Sequence, residues 1–183
     1  MRKNYSVFMN RNTIAYVSAF NEVGKLVTDI YTTKGIYRVD IEPIKLIDKV
    51  FKNYGSSYTG AKEGSKWILG DIDMPPLVIG GAEGLYLFPS ESPSSPTCKW
   101  FFLHHIVHHK AIEKKKTAVY MTGELVLTAD ISKSSFESRL THATLLKVRM
   151  EGQNLDYRTF DMSVNYQMVQ EFKVDAYKVN RHS

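Results

Sequence analysis

One stretch constrains the fold more than any other: Tyr54-Gly55-Ser56-Ser57-Tyr58-Thr59-Gly60-Ala61-Lys62-Glu63-Gly64. Three glycines, two adjacent serines and two flanking tyrosines cannot be the middle of a buried strand. Glycine allows positive φ or close approach of another surface, and serine hydroxyls close local turns. The residues before it read as a helix, so the stretch divides the chain. Two readings stay open. It is a helix stop followed by a turn, or it is a loop that presents the Ser56 and Ser57 hydroxyls, the Tyr58 ring, backbone N–H groups and Lys62 to a ligand.

The chain before this divide reads as a β-meander running into a helix. Thr13 to Phe20 and Lys25 to Thr32 are rich in β-branched and aromatic residues and are joined through Asn21-Glu22-Val23-Gly24. Lys34-Gly35 turns the chain into an alternating strand, Ile36 to Ile41. Pro43 suits a first helical position. Ile44, Ile47, Val50 and Phe51 then recur at helical spacing, with Lys45, Asp48, Lys49 and Lys52 opposite and Gly55 as the stop.

After the divide the elements are short. Ser65 to Leu69 is a strand candidate around Trp67, followed by Leu77 to Ile79 and Leu85 to Phe88, then a Ser/Pro surface loop from Pro89 to Thr97. Lys99 to His109 reads as the longest strand, Lys110 to Lys116 as a basic turn, and Thr117 to Met121 and Glu124 to Thr128 as a hairpin. Ser134-x-x-Glu137 has the form of a capping box. It opens a helix that keeps Phe136, Leu140, Ala143 and Met150 on one arc, sets His142 and Arg149 on one stripe outside it, and ends at Gly152. Phe160 to Met168 alternates as a last strand. The expectation is one α+β domain over 1–183, strand-rich, with two main helices packed on antiparallel sheet.

Composition limits the function classes. A single cysteine, Cys98, allows no internal disulfide and fits a reducing, cytoplasmic setting. The first residues hold no apolar signal-peptide core, and no run approaches the ~20 apolar residues of a membrane span. Residues 92–149 carry nine Lys/Arg against four Asp/Glu, so the formal excess of +5 sits in that segment. A basic segment flanked by near-neutral ones suits a polyanion partner.

No catalytic pattern accompanies it. Ser56 and Ser57 lack the Gly-x-Ser-x-Gly elbow of hydrolases, and the glycine-rich stretch lacks the Gly-Lys-Ser/Thr ending of a phosphate loop. Cys98 reads as a small core residue. His104-His105-x-x-His108-His109 invites a metal, but on one strand His104 and His108 would stand about 13 Å apart, too far to share an ion. A solvent-facing strand end that gains charge below about pH 6.5 is the reading taken here. Helix-turn-helix and zinc-finger spacings are missing, so the basic residues would meet a polyanion without either motif. The candidates are Lys62, the turn Lys114, Lys115 and Lys116, and Arg139, His142, Lys147 and Arg149 on the late helix, with Ser56, Ser57 and Tyr58 for close approach.

The order of landmarks resembles the ComK family of competence transcription factors. Gly55-Ser56-Ser57-Tyr58-x-Gly60 with Gly64 is similar to the family's central signature. Ile44-x-x-Ile47-Asp48 precedes it; Pro75-Pro76, Leu85-Tyr86-Leu87-Phe88-Pro89, Cys98-x-Trp100 with His104 or His105, and Ser135-Phe136-Glu137 follow in the family's order. The resemblance covers roughly residues 25–150. It implies a sequence-specific activator of DNA-uptake genes, without cofactor or catalysis. It implies binding to paired AT-rich boxes of double-stranded DNA, mainly through the minor groove, as homodimers that pair on DNA. It implies RNA polymerase as a partner, a Clp protease adaptor controlling lifetime, and a place on the nucleoid. Where the family often has a basic residue after Tyr-x-Gly, this chain has Ala61, so Lys62 takes that role. The same departure leaves an alternative, a protein-binding regulator that has lost specific DNA recognition. A metalloenzyme built on the histidines is a third.

Overall fold

A computed structural model describes residues 4–80 and 84–158. The strand expected at Phe160 to Met168 and the tail beyond it lie outside the described residues. The chain opens with the expected meander: β1 (Thr13–Phe20), β2 (Leu26–Thr32) and β3 (Gly35–Val39) pair antiparallel in sequence order. α1 (Pro43–Asn53) follows with proline at its start, and α2 (Tyr58–Leu69) follows directly. β4 (Leu77–Ile79), β5 (Leu85–Pro89) and β6 (Lys99–Phe102) complete a six-stranded antiparallel sheet ordered β3-β2-β1-β6-β5-β4. β7 (Ile106–Glu113), β8 (Lys116–Met121) and β9 (Val126–Ala129) form a second, three-stranded antiparallel sheet, and α3 (Lys133–Arg158) closes the described chain. The α+β class and the antiparallel pairing agree with the sequence reading; α2 is a third helix.

The large sheet is the middle layer because its strands alternate. In β6, Trp100 and Phe102 face α1 and share a core with Tyr16, Ile30, Leu46, Ile47, Val50 and Phe51. Phe101 between them faces the other way, into a core with Ile14, Phe88, Val119, Met121, Leu127 and Phe136. Period-2 side chains on a strand require this division. The small sheet and α3 therefore cover the face that α1 and α2 leave.

Four local expectations are corrected. Ser65 to Leu69 is not a strand but the second half of α2. Ser57 caps that helix by accepting the Gly60 N–H at 3.0 Å, and Tyr58, Ala61 and Ser65 turn inward at helical spacing. Lys99 to His109 is not one strand: a 3-10 turn at Leu103–His105 carries the chain from the large sheet into the small one. The basic turn is shorter than expected, since Lys110 to Glu113 continue β7 and Lys114-Lys115 alone make the bend. α3 neither starts on Ser134 nor stops at Gly152. Ser132 is the cap, its Oγ accepting the Ser135 N–H at 3.2 Å, and Glu137 pairs instead with Lys133 and His109. A lone glycine lowers helix stability by about 1 kcal/mol but ends a helix only where the backbone turns left-handed. Gly152 stays helical.

Cys98 is buried beside β6, and burial pushes its thiol up to about 11, which keeps it protonated at neutral pH.

Candidate nucleic-acid interface

The Gly/Ser stretch is a corner between two helices. Gly55 has φ +73°, its N–H donates to the Lys52 carbonyl at 3.2 Å, and the Ser56 N–H donates to the Phe51 carbonyl at 3.0 Å. This is a Schellman ending of α1, and it needs a residue at ease with positive φ. Ser57 then caps α2. The Tyr58 N–H donates to Asp48 Oδ1 at 3.0 Å, and its ring meets Trp100 edge-on at 6.2 Å. Asp48 is held below the usual carboxylate range, first by Lys52 and then by this N–H. A Cβ on Gly60 would stand 3.3 Å from Ser57 Oγ. Ser57 and Tyr58 thus carry the corner, while Ser56 is exposed and Lys62 half-buried beside it. Ala61 packs against the α1 core, so its position does not face solvent as a phosphate contact would. Ser57→Ala is expected to cost about 1 kcal/mol of stability, the usual loss for a cap, read as a lower urea midpoint at unchanged slope.

α3 carries its basic residues on two opposite edges. On one edge, Arg149 Nη1 donates to the Ile68 carbonyl of α2, and Arg139 Nη1 points at Met74 Sδ, 3.2 Å away. Arg139 is half-buried, its Nε has no partner, and burial lowers its pKa. With His142, Ser134, Ser135 and Ser138 it lines a groove of about 450 Å³ against Ile72–Met74. On the other edge, Lys147 lies 3.9 Å from Glu151 and lines a cleft with Arg11 and His104.

The histidines are divided between two sites. The Nε2 atoms of His104 and His105 both donate to the Arg11 carbonyl, at 3.2 and 2.9 Å, and tie the sheet-to-sheet turn to the start of β1. Burial lowers both pKa values, and the two rings lie 4.1 Å apart. Of the solvent-facing strand end expected here, His104 and His108 are exposed, but His105 is buried. His109 bonds Glu137 at 3.1 Å and packs on Phe136, and His108 faces outward beside Tyr120. Among the described residues, no group of three or more His, Cys, Asp or Glu side chains is placed to hold a metal.

A lowered histidine pKa means the unfolded chain binds the proton first as pH falls. Stability conferred by neutral His105 is therefore full above the ordinary histidine range and is lost as pH drops below about 6.5. Melting temperature is expected to fall between pH 7.5 and 5.5, above the carboxylate range, and the fall is expected to flatten in His105→Asn. An unchanged slope in the variant would rule out His105 as its source.

The small sheet completes the picture. Val119, Met121, Leu127 and Ala129 face the core, so Ala118, Tyr120, Val126 and Thr128 face away from it. Register places His108 opposite Tyr120 and Lys110 opposite Ala118 on that outer face. Tyr120 is 39% exposed and Val126 47%. The hairpin tip adds Lys114 and Lys115.

Ion pairing sorts the nine cations of residues 92–149. Lys99 pairs with Asp130, Lys116 with Glu113, Lys133 with Glu137 and Lys147 with Glu151. Arg139 and Arg149 are held against Met74 and Ile68. Lys110, Lys114 and Lys115 form no ion pair among the described residues, and all three belong to the β7–β8 hairpin. Charge alone marked the segment; Lys110, Tyr120 and Val126 were not among the residues expected to bind. The alternation of β7 and β8 is the signal that could have found them.

Comparison with known proteins agrees with the landmarks. The family model described as ComK protein matches residues 2–154. The "Competence transcription factor" of Bacillus subtilis (strain 168) is 27% identical over 135 residues, covering 74% of this chain and 70% of that protein. No solved structure matches. With the model spanning most of its length, the chain belongs to the ComK family.

Proposed function

We propose that this chain is a DNA-binding transcription regulator of competence genes, an activator that grips duplex DNA with the outer face and tip of the small sheet. The observation that carries the reading is how the basic segment's cations are engaged: the three whose side chains make neither an ion pair nor a hydrogen bond among the described residues share one hairpin. Beside them the outer face of the sheet exposes the aromatic Tyr120 and the β-branched Val126, with Thr128 half-buried and Ala118 buried between the strands. Lysines flanking a face that can approach the bases closely fit a narrow, strongly negative AT-rich minor groove. The relative's name supports the transcriptional role.

In this reading the chain works in the cytoplasm on promoter DNA, as a homodimer paired across two AT-rich boxes, and favours promoter engagement by RNA polymerase. A Clp adaptor would act on surfaces outside the hairpin. Lys62 and the Arg139–His142 groove are secondary phosphate contacts.

Fluorescence anisotropy at physiological salt tests it with three duplexes: paired AT-rich boxes, the same boxes respaced, and a GC-rich control. Tight binding to the first that is lost on respacing is the expected result. Equal weak binding to all three would reduce the hairpin to generic phosphate attraction and overturn the specific reading.

A further inference from the structure

The outward face of α2 has a composition that the folded chain alone does not explain. Trp67 is 91% exposed, whereas Trp100 is fully buried. Tryptophan is the largest apolar side chain, and leaving its ring in water forgoes more burial than any other residue would. One turn earlier, Gly64 sits in helical backbone, and a Cβ placed on it would meet nothing within 4 Å. Neither backbone conformation nor packing within the chain calls for glycine there, although glycine weakens a helix relative to alanine. Gly60 differs, because Ser57 Oγ crowds it. The exposed face therefore presents a flat aromatic plate beside a strip of bare backbone.

We infer that this face is where two copies of the chain meet, α2 against α2 about a two-fold axis, with Trp67 of each copy laid over the glycine strip of the other. Projection and recess lie on the same helix face, which makes the face complementary to itself, as a two-fold contact requires. Its charge disfavours nucleic acid. Glu63 is exposed between Gly60 and Gly64, and Lys66, at the margin, is already paired with Asp71.

The area is of the right order. The two Trp67 side chains would remove roughly 400 Å² from water, about a third of the ~1,200 Å² at which standard interfaces begin. The bond from Arg149 to the Ile68 carbonyl brings α3 alongside, and Leu145 and Val148 there are 37% and 60% exposed. The inference locates the contact of the homodimer named in the proposed function and rests on that part of it; because its test contains no DNA, its failure leaves the hairpin reading standing.

Sedimentation equilibrium of the full chain without DNA, from about 1 μM to about 100 μM, tests it. The wild type is expected to dimerise within this range. Trp67→Lys is expected to stay monomeric throughout, with association weakened at least about 100-fold. Gly64→Leu is expected to do the same while melting no lower than wild type, since the position is open and leucine favours helix. Trp67 is also expected to lose access to iodide as concentration rises, with buried Trp100 silent.

A wild type that remains monomeric, or a Trp67→Lys variant that associates as wild type does, overturns the inference. So does a monomer whose Trp67 is shielded only after duplex is added, which would give the face to DNA.

Discussion

Phe136→Ala is expected to remove about 3–5 kcal/mol of folding stability, the range for emptying a large aromatic from a closed core. Phe136 is fully buried where three elements meet. Its ring meets Phe88 at 5.6 Å and Phe101 at 5.5 Å, both from the large sheet, and His109 of the small sheet at 5.3 Å. Among the described residues, α3 supplies no other aromatic to this core. Truncation would leave a void lined by rings fixed on two different sheets, which cannot collapse together without breaking strand pairing. Against a typical total of about 5–15 kcal/mol, the loss would leave a marginal protein. Phe136→Leu keeps most of the volume and is expected to cost less than half as much. Urea unfolding is the measurement, with a lower midpoint and an unchanged slope. A loss below about 1 kcal/mol for the alanine variant would mean that α3 does not close this face as described.

The same joint shows what could be read from sequence. The meander and α1 were legible because their periods are clean: alternation in Ile36 to Val39, and helical spacing of Ile47, Val50 and Phe51. α2 was not legible, because Gly60 and Gly64 dilute its apolar stripe and its inward residues are as small as Ala61 and Ser65. What makes it a helix is a cap at Ser57 and a hydrogen bond from Tyr58 to Asp48, ten residues back. The break between β6 and β7 was hidden for a related reason. Phe101 to His109 looks uniformly strand-like, and the bonds that turn it run to the Arg11 carbonyl, far away in the chain. The basic segment showed plainly in its charge. Which cations in it are engaged depends on Asp130, Met74 and Ile68, and no spacing rule connects those to Lys99, Arg139 and Arg149. The candidates Lys114 and Lys115 form no ion pair among the described residues, Lys116 is paired, and Lys110 joins the first two only once β7 is seen to extend to Glu113.

That sorting makes a sharp prediction about binding. Lys110→Gln, Lys114→Gln and Lys115→Gln together are expected to weaken binding to the paired-box duplex about 100-fold at physiological salt. Each lysine that neutralises a phosphate contributes about 0.9 to the slope of log affinity against log salt, so three lost contacts flatten it by about 2–3. At ~0.15 M salt the same counterion release amounts to roughly two orders of magnitude. The fold is expected to stay within about 0.5 kcal/mol of wild type, because these side chains are exposed and form no ion pair among the described residues. The matched control is Lys116→Gln with Lys133→Gln and Lys147→Gln. It removes the same formal charge from residues already paired with Glu113, Glu137 and Glu151. If net charge alone drives binding, the two triple variants lose affinity equally. If the hairpin is the contact, the first loses far more, and its residual binding depends less on salt. Equal losses would move the interface off the hairpin, and Arg139, whose Nε has no partner, in its serine-lined groove would become the next place to look.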